Sequence, residues 1–179
     1  MLRERASRIL AFTITSALIV VPILSGQETK GPVAAPIPAQ ITAARKAFIS
    51  NGGADVAAEA TFKRAGEPDQ AYNRFYSAMQ GWGRYELVST PGEADVVFEI
   101  RFTAPMYWDG NLAIYEPQFG LNIFDVKTHV LLWSVSEPVE GAFRKTTWAK
   151  NFDHGLDALM DDLKKLSPSS AASGSPSSK

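Results

Sequence analysis

The chain has 179 residues, of which 45% are hydrophobic, and a formal net charge of −1. This length suits about one domain, and the charge argues against unspecific binding to nucleic acid, which needs a basic surface. The sequence contains no cysteine, which excludes disulfides, thiolate metal sites and thiol nucleophiles.

Residues 1–26 have the pattern of a secretory signal peptide. Arg3, Arg5 and Arg8 precede an apolar run from Ile9 to Leu24, and small residues follow it. The run is too short and too interrupted for a typical membrane span. We therefore expect an exported protein, periplasmic or extracellular, with no membrane span after the signal is cleaved. An uncleaved signal that keeps the protein on the membrane is the alternative. Without residues 1–26, which hold three arginines and one glutamate, the net charge is −3.

Composition divides the remaining chain into three parts. Residues 27–43 are rich in proline and alanine, which predicts an extended linker. Residues 167–179 are mostly serine, alanine, proline and glycine. They have too little apolar surface to offset the entropy lost on ordering, so this composition predicts a disordered tail. Residues 44–166 between them predict a single folded domain.

The domain begins with a predicted strand and a predicted helix. The strand, Arg45 to Ser50, ends at the breaker Asn51-Gly52-Gly53. The helix follows Pro68, which suits a first helical turn, and glycines 81 and 83 end it. Its apolar residues recur at helical spacing, namely Tyr72, Phe75, Met79 and Trp82.

Four strands then predict an antiparallel meander whose apolar residues share one face. With Asp109-Gly110 as a two-residue turn, Phe98 lies opposite Leu121. The preceding loop places Leu87 opposite Phe98, and the following loop places Leu121 opposite Trp133. A slip of one residue in any pair would turn an apolar set toward water, which favours these registers.

A final helix is predicted near Thr147 to Leu166, with Thr147 as its cap. Lys164 and Lys165 lie in its last turn, where the helix dipole favours positive charge. Its apolar stripe consists of Phe152, Leu156, Leu159, Leu163 and Leu166. The element order is β-α-β-β-β-β-α, which predicts an α/β protein of the α+β type. It forms a two-layer sandwich, with two helices on one face of a mostly antiparallel sheet.

No catalytic, metal or cofactor motif is present. His129 and His154 have no sequence neighbour at metal-ligand spacing, and we expect both to be solvent-exposed. Three carboxylates recur every four residues from Asp153 to Asp161. The calcium-loop pattern is absent, so we expect a solvated face in which Asp161 pairs with Lys165. The sequence therefore predicts no cofactor and a non-enzymatic protein.

Two surfaces are candidates for binding a partner. The first is the hairpin arm around the Asp109-Gly110 turn, because an aromatic-rich protrusion suits a protein interface. The alternative is that this arm folds back over the sheet edge and caps the core. The second surface is the polar face of the sheet, which includes Glu99 and Arg101. The candidate residues of the arm are Met106, Tyr107, Trp108, Leu112, Ile114 and Tyr115.

Three segments carry a resemblance to known proteins. They are Trp82-Gly83-Arg84-Tyr85-Glu86-Leu87-Val88, Ala94-Asp95-Val96-Val97-Phe98-Glu99-Ile100, and Phe124-Asp125-Val126-Lys127-Thr128-His129-Val130-Leu131-Leu132-Trp133. The chain resembles an uncharacterised family of bacterial secreted proteins and is distantly similar to envelope domains of the TolB amino-terminal and CsgG-like type. The resemblance spans roughly Arg45 to Leu166 and carries over no functional residue.

The resemblance implies a non-enzymatic envelope domain that acts through protein contacts. We therefore predict an exported accessory or protein-binding domain whose partner is another envelope protein. A small extracytoplasmic hydrolase, using Glu99 or Asp95 near a pocket under the arm, is one alternative. A soluble ligand-binding protein is another.

Overall fold

The structure is a computed structural model, and it describes residues 35–55, 57–58 and 69–168. All the elements below belong to the unit Pro36–Lys179. The predicted signal peptide and most of the predicted tail lie outside the described residues.

The described elements run from Ala39 to Leu166. In order they are helix α1 (Ala39–Ala43), strand β1 (Lys46–Ala54), helix α2 (Gln70–Trp82), strand β2 (Glu86–Leu87), a 3₁₀ turn (Pro91–Glu93), strands β3 (Val96–Thr103), β4 (Met106–Asp109), β5 (Leu112–Tyr115), β6 (Gln118–Asp125) and β7 (Leu131–Pro138), and helix α3 (Lys145–Leu166).

These elements form the two-layer α+β sandwich that the sequence predicts. Five strands make one sheet in the order β2-β1-β3-β6-β7, while β4 and β5 pair only with each other. Antiparallel pairings outnumber parallel ones, three to two, in the described residues. The buried side chains of β1, β3 and β6 form one core with those of α2 and α3. Both helices therefore cover the same face of the sheet.

The predicted pairing of β2 with β3 is wrong. Strand β1 lies between them and pairs in parallel with both, with Ala47 opposite Leu87 on one side and Val96 on the other. The 3₁₀ turn after β2 therefore connects two strands that do not touch. Strands adjacent in sequence are neighbours only about two-thirds of the time. Alternation along β2 and β3 carries no information about an intervening strand.

The predicted registers of the other two hairpins are wrong by two residues. Phe98 lies opposite Ile123, not Leu121, because Asp109 pairs with Leu112 and the turn is Gly110-Asn111. Ile123 in turn lies opposite Trp133. Side chains alternate with a period of two, so a shift of two keeps the apolar residues of β3 and β6 on the core face, as predicted. The prediction is wrong for Leu131, because a register shift places it opposite Phe124 instead of Ile123, and it is 49% exposed.

Strand β1 continues through the glycines that were predicted to end it. The strand runs to Ala54, with a register shift between Asn51 and Ala54 where it pairs with β3. A bulge of this kind accommodates extra residues without ending the strand. The Asn51 side chain stabilises it by accepting a hydrogen bond from the Gly53 N–H (2.9 Å) and donating one to Asp69 (2.8 Å).

The two long helices confirm the predicted apolar stripes but differ at their ends. Gly81 lies inside α2, and Gly83 is the left-handed C-cap at φ 66°. Helix α3 begins at Lys145 with Arg144 as N-cap, so Thr147 lies inside the helix and is not the cap. The reason is Trp148, which is buried one turn before Phe152 and extends the stripe backwards.

An aromatic cluster joins the sheet to α3. The Phe152 ring lies 5.6 Å from that of Phe102 and 4.8 Å from that of Phe119, and Phe102 also meets Trp148 edge-on at 6.2 Å. Such edge-to-face pairs add to the free energy gained from burial alone. The cluster fixes α3 beneath the point where β3 ends and β6 begins, which is where the arm leaves the sheet.

Packed structure begins before residue 44. Helix α1 lies within residues 27–43, which predicted a linker, and its Ile41 is fully buried. Arg84 holds this helix to the domain by donating hydrogen bonds to the carbonyl oxygens of Thr42 (2.8 Å) and Ala44 (3.0 Å). Among the described residues, no helix has both the length and the apolar character needed to cross a membrane.

Candidate partner-binding site

The arm is a two-stranded ribbon that leaves the main sheet. Strands β4 and β5 pair from Met106 opposite Tyr115 to Asp109 opposite Leu112. At the base, the N–H of Glu116 donates to the carbonyl oxygen of Pro105 (3.0 Å). Proline at 105 and at 117 interrupts the ladder to β3 and β6, so the ribbon forms a sheet of its own.

The large side chains of the arm face water. Five large hydrophobic side chains of the arm are more than one-third exposed, and Ile114 is half-buried. The exposed fractions are 48% for Met106, 44% for Tyr107, 64% for Trp108, 65% for Leu112 and 53% for Tyr115. These values do not fit the alternative in which the arm folds back and caps the core.

Both faces of the ribbon are apolar. Residues opposite each other in an antiparallel pair share a face. Met106, Trp108 and Tyr115 therefore lie on one face, and Ile114 and Leu112 lie on the other. An isolated two-stranded ribbon is only marginally stable in water, and contiguous exposed apolar surface marks interaction sites. The arm brings together all six of the predicted arm residues.

The polar sheet face is a separate surface. Glu99 pairs with Arg101 on β3 and accepts a hydrogen bond from the side chain of Asn122 on β6 (3.3 Å). Asn122 accepts one from Ser134 on β7 (2.9 Å). The network thus spans three strands of the main sheet. Glu99 and Arg101 therefore do not join the arm in one site.

Two glycines let the Arg101 side chain lie flat on this face. A Cβ atom at Gly120 would be 3.1 Å from Arg101 Cγ, and one at Gly52 would be 3.2 Å from Arg101 Cβ. Because the neighbouring strands have no side chain at these points, Arg101 and Glu99 pair across the sheet surface. The result is a flat polar face.

The carboxylates of the hydrolase hypothesis do not converge. Asp95 accepts hydrogen bonds from the backbone N–H groups of Arg45 (2.8 Å) and Lys46 (2.9 Å). These bonds, of which the one from Lys46 has the largest effect, hold the pKa of Asp95 below its ordinary value. Asp95 directly precedes β3, and Glu99 lies four residues further on within that strand, about 13 Å away at the usual rise per residue. Asp95 has a structural role in joining β1 to β3.

A cleft with a volume of about 690 Å³ lies at the base of the arm. One wall is Tyr115 and Glu116, the opposite wall is Glu140 and Gly141, and helix α3 lines it through residues 151 and 154. The two wall segments meet because Gln118 pairs with Pro138. The Val139 N–H also donates a hydrogen bond to the carbonyl oxygen of Pro117 (2.7 Å). This volume is typical of ligand sites.

Close packing below the cleft fixes its position. A Cβ atom at Gly155 would lie 2.9 Å from Val139 Cγ2 and 3.2 Å from the carbonyl oxygen of Pro138. The glycine therefore lets α3 approach the segment that follows β7. From α3, the Asn151 side chain donates to the carbonyl oxygen of Glu140 (2.9 Å). Both contacts hold the second wall of the cleft against the helix.

The remaining titratable residues form no metal site in the described part of the chain. His129 lies in the β6–β7 loop with a positive φ of 57°, and His154 is exposed at the cleft. The predicted pair of Asp161 with Lys165 is wrong. Asp161 pairs with Lys164 (3.2 Å), and Lys165 pairs with Asp162 (2.7 Å), so both pairs are three residues apart.

Sequence reasoning missed the cleft. It also missed Phe143, whose side chain is fully exposed on the loop between β7 and α3, two residues beyond the cleft wall. A single exposed aromatic residue is normal on a protein surface, so Phe143 by itself gave no signal. The predicted register, with Leu121 opposite Trp133, places Pro138 opposite Glu116, whereas in the structure Pro138 lies opposite Gln118.

No protein-family model matches the chain, and no curated protein matches it in sequence. The comparison with solved structures finds distant similarities. The PelC dodecamer from Paraburkholderia phytofirmans has 13% identity and a TM-score of 0.39, over 75% of this chain and 94% of that one. The C-terminal domain of LpoB from Salmonella enterica has 12% identity and a TM-score of 0.35, over 54% and 83%.

A third similar structure is lipoprotein GNA1162 from Neisseria meningitidis, with 16% identity and a TM-score of 0.27, over 65% of this chain and 99% of that one. At such identities and TM-scores, these proteins assign no function to the chain. The resemblance to TolB amino-terminal and CsgG-like domains stays a prediction.

Proposed function

We propose that this chain is an exported, non-enzymatic accessory domain that binds another envelope protein through its arm. The observation that carries the proposal is the exposure of apolar side chains on both faces of the ribbon, led by Trp108 at 64% and Leu112 at 65%. Tryptophan and tyrosine are enriched among the residues that dominate binding energy at protein interfaces. A partner that covers the ribbon also supplies the packing that a two-stranded sheet lacks.

The export half of the proposal depends on residues 1–26. The arginines before the apolar run and the small residues after it support a cleavable signal. Cell fractionation of the full chain, followed by amino-terminal sequencing of the extracytoplasmic form, tests this directly. A mature protein that begins near residue 27 supports export with cleavage. A full-length protein in the cytoplasm contradicts it.

Site-specific photocrosslinking tests the binding half. A benzoylphenylalanine residue replaces Leu112 in the arm. In a matched control it replaces the exposed Glu93, which lies in the 3₁₀ turn before β3, whereas the arm follows the other end of that strand. The protein is expressed in cells of the source organism and irradiated in place. We expect one discrete crosslinked band from position 112 and none from position 93, with the band lost when Trp108→Ala is combined with the probe. Equal crosslinking from both positions contradicts a specific arm interface.

A further inference from the structure

The cleft at the base of the arm has a chemistry that the arm itself does not. Its two walls each carry a carboxylate, Glu116 on the arm side and Glu140 on the loop side. No lysine or arginine is among the described residues that line it. Arg144, the N-cap of α3, and Lys145, its first residue, follow in the chain but do not line the cleft. The two carboxylates share the cleft with the exposed His154 but with no lysine or arginine, and they attract a cation.

The apolar part of the lining suits the stem of a long cationic side chain. Pro117, Pro138 and Val139 supply aliphatic surface, and the half-exposed Tyr115 ring stands at the arm wall. Lysine and arginine bury their methylene groups along such surface while the charged group remains at a polar end. An aromatic ring face adds a cation–π contribution for either residue.

The carboxylate on the arm side is held in place. The Tyr107 hydroxyl donates a hydrogen bond to Glu116 Oε1 (3.1 Å), and this bond raises the pKa of Tyr107 because deprotonation would oppose two negative charges. The bond connects the exposed surface of the ribbon to the wall of the cleft. A partner that covers the arm thus meets an oriented anionic group at its base.

Exposed aromatic side chains lie at the cleft and close to it in the chain. Tyr115 of the arm, which lines the cleft, is 53% exposed, and Phe143, two residues after the lining residue Gly141, is fully exposed. From this arrangement we infer that the cleft receives a lysine or arginine side chain of the partner segment that covers the arm. The segment then carries one basic residue flanked by apolar residues. This inference rests on the proposed function and names the chemistry of the partner at the same site.

Unbiased peptide selection tests the inference. A phage library of random linear peptides is selected on the full chain, and in parallel on Glu116→Gln/Glu140→Gln and on Glu93→Gln, a matched neutralisation at an exposed carboxylate outside the cleft. We expect the wild type and the Glu93→Gln variant to enrich lysine and arginine beside apolar residues. We expect the double variant to enrich apolar residues alone. Circular dichroism confirms that each variant is folded.

Soluble peptides then measure the size of the effect by fluorescence anisotropy. Replacing the basic residue of a selected peptide by norleucine weakens binding to the wild type about tenfold and leaves binding to the double variant unchanged within about twofold. Raising the salt concentration weakens only the basic peptide on the wild type, because screening acts on the charge pair.

The outcomes separate the inference from the proposed function. Peptides that bind through Trp108 with no preference for lysine or arginine overturn the cationic occupant and leave the arm as the binding surface. A selection in which no enriched peptide loses affinity on Trp108→Ala contradicts the proposed function, and the inference falls with it.

Discussion

Two tryptophans in the same domain provide the sharpest test of the arm. Trp108 on the arm is 64% exposed, whereas Trp148 on α3 is 4% exposed and packs edge-on against Phe102. The same substitution, Trp→Ala, removes the same atoms from each. Any difference in the free energy of unfolding therefore reports the difference in packing, with composition held constant.

The magnitudes follow from the burial. A fully buried tryptophan hides about 200 Å², so the sheltered third of Trp108 covers about 70 Å² and contributes at most about 2 kcal/mol at 25 cal/mol per Å². The real value is smaller because the unfolded chain also shelters part of this area. Trp148→Ala is expected to cost about 3 to 5 kcal/mol, as other large-to-small core substitutions do.

Urea and thermal unfolding, followed by circular dichroism at 222 nm, measure both variants without depending on tryptophan emission. We expect Tm to fall by less than about 8 °C for Trp108→Ala and by roughly 10 to 20 °C for Trp148→Ala. Leu112→Ala on the other face of the ribbon serves as a second arm variant, with a loss below about 1 kcal/mol. A loss of several kcal/mol in Trp108→Ala would refute the exposure of the arm and, with it, the proposed binding surface.

Two further predictions concern backbone positions of the domain. Gly81→Ala is expected to stabilise the protein by about 0.5 to 1 kcal/mol, because Gly81 lies inside α2 with no atom within 4 Å of the added methyl group. Gly155→Ala in α3 is expected to destabilise the protein by about 1 to 3 kcal/mol, since the added methyl group would collide with Val139. Urea unfolding measures the sign of both changes. A gain in stability in Gly155→Ala contradicts the close packing below the cleft. Asp95→Asn is expected to cost about 1 kcal/mol at pH 7, after allowance for the exposure of this carboxylate. Because the pKa of Asp95 is lowered in the folded state, its contribution to stability is complete above the ordinary aspartate pKa of about 3.9. That contribution is lost as the pH falls through the pKa of the folded state. Unfolding measured from pH 7 down to pH 3 is therefore expected to show the gap to wild type closing below about pH 4, and a gap independent of pH contradicts the role of the charge.

The faces of the secondary structure elements could be read from the sequence. The apolar residues of β3, β6, α2 and α3 lie on the core side as their spacing predicts, because the periods of two and 3.6 residues are local properties of the backbone. Gly83 also ends α2 as expected, since the left-handed C-cap suits glycine. The composition of the arm likewise indicated a surface that differs from the rest of the sheet.

The partners of the strands required the tertiary structure. Strand β1 pairs with residues about forty to fifty positions away, and no local pattern reports such a contact. The predicted registers of the two later hairpins differ from the observed ones by two residues, because alternation identifies the face of a strand but not the partner of each residue.

The same physics explains the candidate site. The sequence by itself determined the α+β class, the core faces of β3, β6, α2 and α3, and the aromatic arm, all of which depend on composition and short-range periodicity. Only the tertiary structure decided that the arm faces water and that Glu116 and Glu140 stand across one cleft. That juxtaposition depends on the pairing of Gln118 with Pro138 and on the contact of Gly155 with Val139, which are long-range packing events.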